Sequence, residues 1–231
     1  MAIDFDGTDD DIDLGDPTSL QLTGAMTISC WLLSDISQAS KRPVSKRGGA
    51  GARGYTLQTS SGSPVSKISF MISTDGTATI NSGDSALLSA GVWHYVVGIF
   101  EPSTSVRVLL DLVKTENTTS IPATQFNPTT NVRIGATGLG GSGFFNGKMN
   151  DVRIYNRVLS DDELQTIFAA RGVDGIVNGL VGRWLLNEKS PGTTVSGAGS
   201  VKDIGPFGNN GTPVSAPVYI EGELRFRRKI A

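Results

Sequence analysis

The chain has one cysteine and one histidine among its 231 residues. A single cysteine excludes an intrachain disulfide. Cys30 falls in step with Ile28 and Leu32 in an apolar alternation, which predicts a buried, unreactive thiol. With so few imidazoles and thiolates, a zinc centre is excluded, because zinc needs several such ligands. A Ser-His-Asp triad would have to use His94. That residue directly follows Trp93 in an apolar strand, where a structural histidine is expected. No apolar run is long enough to cross a bilayer. The formal charge of −2 and the lack of a long basic stripe give no basis for nucleic-acid binding. No Gly-x-Gly-x-x-Gly links a strand to a helix, and there is no phosphate loop. The first residues, Met1 to Asp6, carry neither the basic nor the apolar region of a secretory signal.

Glycine is abundant instead, at 29 residues, while aromatic residues make up only 7%. This balance predicts many short strands and many turns. Twelve strand candidates fall at 3–5, 11–14, 26–33, 54–59, 66–73, 77–81, 93–101, 105–112, 131–135, 147–156, 181–187 and 217–226. The glycine-rich stretches 42–53 and 138–143 read as surface loops. Only one helix is predicted, near 160–170: Ser160 and Glu163 form a capping box at its start, and Gly172 stops it. The basic cluster Arg225, Arg227, Arg228 and Lys229 reads as a solvated tail, or as an arm for an acidic partner. Together these features predict an all-β, two-sheet antiparallel sandwich with one short helix.

The most telling segment runs from Gly147 to Leu164. Met149, Val152, Ile154 and Tyr155 form a half-buried strand, followed at once by the capped helix. This pairing resembles the closing strand of the laminin-G-like, concanavalin A-like jelly roll. Four other segments resemble the same family in the same order. They are the opening strand and turn Phe5–Leu14, the core strand Met26–Leu32, and the central hairpin formed by Trp93–Phe100 and Val106–Leu112. The resemblance covers Ile3 to about Ala170 and implies a binding fold of jelly-roll type.

The rest of the chain looks displaced. Leu180–Glu188, Thr193–Val195 and Asp203–Thr212 resemble elements that ordinarily open the family's sandwich, yet here they come last. Residues 1–172 then form the main body, and 173–231 supply the missing strands of an apparent circular permutant. Exchange of this segment with a neighbouring subunit is the alternative. The short connection from Gly172 to Gly179 favours closure within one chain. Trp184 is expected in the core.

Catalytic constellations are thin. Paired carboxylates are the option known for glycosidases on related jelly rolls, but Glu221 and Glu223, the one pair sharing a strand face, lie at the terminus. Calcium suits the sequence better, since it takes six to eight oxygen ligands from carboxylates, amides and carbonyls. The resemblance implies one structural Ca2+ between the Asp/Gly/Asn loop and the closing strand, held by Asp151, Asp203 and Asn209. A plain Asx-rich turn without metal is the competing reading. The acidic run Asp9, Asp10, Asp11 and Asp13 is expected to be mostly solvated, with Ile12 facing the core. A sugar site would stack exposed aromatics on sugar faces, and the candidates are Tyr55, Phe144 and Phe145.

The expected function is that of a non-catalytic structural or binding protein. A decoration or fibre component on a phage or virus surface is favoured, packed in an oligomeric array with other virion proteins and adhering to glycans. The absence of an export signal and the single-module organisation motivate that reading. The alternative is a calcium-dependent lectin module of a secreted or cell-surface protein, and an enzyme is not expected.

Overall fold

The computed structural model describes residues 1–60 and 66–221. Its strands, in chain order, are β1 (Ala2–Asp6), β2 (Asp11–Asp13), β3 (Met26–Ser34), β4 (Val44–Arg47), β5 (Arg53–Ser60), β6 (Lys67–Ser73), β7 (Thr79–Asn81), β8 (Trp93–Glu101), β9 (Ser105–Leu110), β10 (Val113–Asn117), β11 (Arg133–Ile134), β12 (Asn146–Tyr155), β13 (Leu180–Trp184), β14 (Thr212–Val214) and β15 (Val218–Ile220). They form two antiparallel sheets. One has the order β10-β9-β8-β3-β12-β1-β15, with β13 also paired to β12; the other has the order β14-β2-β11-β4-β5-β6-β7. Alternating side chains from both sheets, among them Phe5, Ile12, Ile28, Tyr55, Phe70, Phe100, Met149 and Trp184, form the core between them.

The helix α1 (Asp161–Ala170) begins where the capping box predicts. Ser160 accepts from the Glu163 N–H, and Glu163 reaches back to the Ser160 N–H. Arg171, with φ 46°, takes the left-handed position at the helix end, just before Gly172. Leu164 and Ile167 are buried against Trp31, Tyr95 and Leu109, making a second core on the outer face of the first sheet. Phe168 stacks on Trp31 at 5.5 Å, and the Arg171 guanidinium lies 5.1 Å above that indole.

Strand β12 is the hinge of the architecture. Asp151, at φ 47°, sits in a bulge that breaks the β3 register between Asn150 and Arg153. The extra residue switches which face the next side chains occupy, so Met149, Val152 and Ile154 all reach the inter-sheet core. The free edge of β12 changes partner at the same place. β1 pairs with residues 146–149, and β13 takes over from Val152 to Tyr155. β15 extends the sheet beyond β1, while β14 pairs with β2 in the opposite sheet. The C-terminal strands thus lie in the same two sheets as the body. Trp184 is fully buried, and its Nε1 donates to the Asn209 carbonyl at 2.8 Å.

Several elements depart from the sequence expectation. The stretch 42–53 is not all loop: Val44, Ser45 and Lys46 are fully buried in β4. Lys46 donates there to Asp16 and to the Thr130 carbonyl. The strand expected over 105–112 ends at Leu110, because Asp111 and Leu112 both adopt positive φ and turn the chain into β10. Of the strand expected over 217–226, β15 occupies 218–220. Glu223 and the basic residues 225–229 lie outside the described residues.

Candidate functional site

The single histidine and the single cysteine both lie inside the protein. His94 is buried, its Nδ1 donating to Asp111 at 2.7 Å and its Nε2 accepting from the Ser89 N–H at 3.2 Å. Both ring nitrogens are engaged, which makes the residue a staple across the β8–β9 hairpin. The thiol of Cys30 is fully buried, and burial pushes its pKa up, so thiolate chemistry is suppressed.

The three residues predicted to share calcium are bound by the protein's own donors. Asp151 accepts from Arg153 Nε at 3.0 Å, from Arg153 Nη2 at 2.5 Å and from Arg183 Nε at 2.8 Å. Two guanidinium groups therefore surround it, and that positive setting opposes a cation. Asp203 accepts from the N–H groups of Arg183, Gly205 and Asn209 at 2.7–2.8 Å and so organises its own loop. The Asn209 amide donates to Val181 O and accepts from Ser19 Oγ. Arg183 directs its backbone N–H to Asp203 and its side chain to Asp151, so the loop carboxylate and the strand carboxylate serve different parts of β13. Asp151 thus belongs to an ion-pair cluster, and Asp203 and Asn209 to an Asx turn beside it.

Arg153 completes that cluster by a bidentate pair with Asp174 at 2.7 and 2.6 Å. Burial pushes the Asp174 carboxyl upward, but the Arg153 hydrogen bonds outweigh it and hold the pKa at about 2. The pair straps the 171–179 connection to β12. Sequence reading missed it: Asp151 and Arg153 sit in a strand that also carries Lys148 and Asn150, so they do not stand out as buried charges.

The predicted aromatic ligands are not grouped on the surface. Tyr55 is 1% exposed in the inter-sheet core, with its hydroxyl donating to Leu20 O, and Phe145 is fully buried. Only Phe144 is half-exposed. The carboxylates of Asp11 and Asp13, expected in solvent, pair with Arg133 at 2.5 and 2.6 Å. Ile12 faces the core as expected.

Two open clefts remain of interest. The first, about 340 Å³, is lined by Asp4, Asp6, Asp9, Asp10, Ser215, Ala216 and Val218. Carboxylate oxygens of Asp6, Asp9 and Asp10 lie within 4.8 Å of one another, so these three residues could hold a metal ion. Asp10 is buried, and burial raises its pKa above the ordinary range. Burial works the same way on Asp6, but N–H bonds from Thr8, Asp9 and Asp10 outweigh it and hold Asp6 below that range.

The second cleft, about 310 Å³, opens where the β4–β5 hairpin meets the loop before β12. That volume is at the lower end for small-molecule sites. Backbone bonds fix both loops: Gly48 N–H to Ala52 O, Gly138 N–H to Arg47 O, and Arg42 N–H to Gly143 O, at 2.7–3.0 Å. Gly143, at φ 68°, leaves room for Arg42, since a Cβ there would lie 3.3 Å from the Arg42 Cγ and Nη1. The lining presents Arg42, Arg47 and Arg53, the hydroxyls of Thr137 and Ser142, and the exposed apolar tip Leu139. Sequence reading passed over this cleft because its arginines lie on two strands and the segment before them, in a stretch taken for loop.

A family profile described as the concanavalin A-like lectin/glucanases superfamily matches residues 6–165. The chain belongs to this superfamily, in its laminin-G-like branch. No curated protein is significantly similar to the sequence. Among solved structures, a carbohydrate-binding candidate from Bacteroides ovatus is similar at 17% identity and a TM-score of 0.68, covering 96% of this chain and 60% of that one. The chain thus spans about three fifths of that protein's length. The enzymatically active domain of tailspike protein 2 from bacteriophage CBA120 is similar at 15% identity and a TM-score of 0.54, over 82% of this chain and 34% of that one. Domain 4 of AbnA, an extracellular arabinanase of Geobacillus stearothermophilus solved with arabinotriose, is similar at 15% identity and a TM-score of 0.52, over 71% of this chain and 74% of that one. At these identities the likeness establishes the shared fold. Among the described residues, no helix is long and apolar enough to cross a membrane.

Proposed function

We propose that this chain is a non-catalytic saccharide-recognition module whose ligand sits in the cleft between the β4–β5 hairpin and the loop before β12. The observation that carries the reading is the cleft itself: an open hollow on backbone-fixed loops, offering hydroxyl and guanidinium donors beside an apolar tip. Saccharide recognition needs that combination of directional polar groups and apolar contact. The neighbours described as binding carbohydrate or complexed with arabinotriose support it at the level of fold. The internal pairing of His94 and of the buried carboxylates supports a role without bond cleavage.

A glycan array probed with wild-type protein tests the reading. It predicts retention of a discrete set of glycans with no release of reducing ends on prolonged incubation. Retention of no glycan, or measurable hydrolysis, contradicts it. A structural calcium ion is proposed at Asp6, Asp9 and Asp10, where hard oxygen donors converge. Calcium is then expected to raise the melting temperature of the wild type but not of Asp9→Asn; identical melting of the wild type in calcium and in chelator removes the metal.

A second reading, a decoration or fibre component of a phage or virus particle, has the fold shared with the tailspike domain in its favour. Ordered arrays burying well over roughly 1,000 Å² per contact in micrographs of the native source are its test.

A further inference from the structure

The arginines of the cleft differ from five others in the way their charge is met. Arg107 pairs with Glu101, Arg133 with Asp11 and Asp13, Arg153 with Asp151 and Asp174, Arg157 with Glu163, and Arg183 with Asp151. Arg42, Arg47 and Arg53 form no ion pair within the described residues, and no carboxylate lines the cleft they share. Asp75, whose carboxyl feels the Arg53 charge, is not among the lining residues. Arg42 Nη1 donates to Ser40 O at 2.5 Å and Arg53 Nη1 to Thr77 O at 2.6 Å. Among the described residues, Arg42 Nε and Arg47 Nη1 are buried with no protein acceptor, as are Arg107 Nε and Arg133 Nε. A buried donor without an acceptor is costly, and most native groups of this kind have one.

We infer that the cleft takes an oxyanion, and that its ligand is an acidic saccharide whose carboxylate or sulfate group is clamped by Arg42, Arg47 and Arg53. This rests on the reading of the cleft as the saccharide site and names the ligand class. Three cations gathered without a counterion repel one another. An anion among them removes that repulsion, and the planar guanidinium fork matches both carboxylate and sulfate oxygens. Burial, followed by the charges of Arg42 and Arg53, pulls the Arg47 pKa down to about 10, in keeping with this uncompensated charge. The hydroxyls of Thr137 and Ser142, 3.2 Å apart, and the exposed Leu139 flank the clamp and remain for the sugar ring.

The test is titration calorimetry of the whole protein with dextran sulfate, polygalacturonate, unmodified dextran and poly-L-glutamate. Binding is expected for one or both acidic polysaccharides, weakening as salt rises; which one binds separates sulfate from uronate. Arg47→Gln and Arg42→Gln are each expected to weaken that binding about tenfold or more. Lys202→Gln, which removes an equal charge from an exposed site away from the cleft lining, is expected to bind as the wild type does. If a variant fails to fold, phenylglyoxal footprinting of the wild type reads the same contacts: the acidic polymer should protect Arg42, Arg47 and Arg53. Binding to poly-L-glutamate as tight as to the polysaccharides overturns the saccharide assignment, and binding to neither acidic polymer overturns the anion clamp. Array hits confined to neutral glycans and insensitive to both arginine variants overturn the anion clamp while leaving saccharide recognition standing.

Discussion

At the scale of single residues, buried charges are met by internal partners beside the apolar core. Arg153 is completely buried, yet both edges of its guanidinium meet carboxylates. Asp174 and Glu163 both have pKa values held at about 2, against ordinary values of 3.8 and 4.5; for Glu163 the dominant cause is its bidentate pair with Arg157. Because both are depressed in the folded state, the stability they contribute is complete above their ordinary values and is lost as pH falls toward about 2. Asp10, raised by burial, works in the opposite sense. Asp174→Asn should therefore destabilise the protein by about 3 kcal/mol at pH 7, by breaking a buried pair, and by clearly less at pH 2.5. Urea unfolding at the two pH values measures this, and an equal loss at both contradicts the assignment. Little of the pairing was legible in the sequence. Asp11, Asp13 and Arg133 are about 120 positions apart, and nothing local to an Asp-rich run says that a distant strand will bring it an arginine.

At the scale of elements, local chemistry was a better guide. The Ser160–Glu163 box acts within one helical turn, and the helix starts where it says. Cys30 and Ile12 face inward because strand alternation is also local. Three strands escaped, among them β14 (Thr212–Val214), and two of them for opposite reasons. β4 contains a buried lysine, which reads as surface until Asp16 and the Thr130 carbonyl meet it. β10 follows a turn made by Asp111 and Leu112, with no glycine to mark it. The bulge at Asp151 left a trace in the spacing of Met149, Val152 and Ile154, one step too long between the first two. Trp184 shows how much rests on the last elements. It fills the space beside Gly182, where an added Cβ would come within 2.4 Å of the indole. Trp184→Ala should cost about 4 kcal/mol, by loss of packing and of the bond to Asn209 O. Thermal unfolding reads this, and a loss below about 1 kcal/mol would show that β13 is dispensable to the core.

At the scale of the whole molecule, the two-sheet sandwich was readable from turn spacing and from the family's motifs in order. The functional surface was not. Aromatic side chains drew attention as sugar platforms, but Tyr55 and Phe145 are needed inside, because only 7% of the chain is aromatic and the core draws on it heavily. The cleft instead gathers three arginines that are close only when β4 and β5 pair and the loop before β12 closes over them. The most direct test of the anion clamp is a chemical-shift map of the labelled protein titrated with an oligosaccharide of the acidic polymer it binds. Perturbations are predicted at the side-chain Nε–H groups of Arg42, Arg47 and Arg53 and at the amides of 137–143. Perturbations centred on Asp4–Asp10, or on none of these residues, would place recognition elsewhere and contradict it.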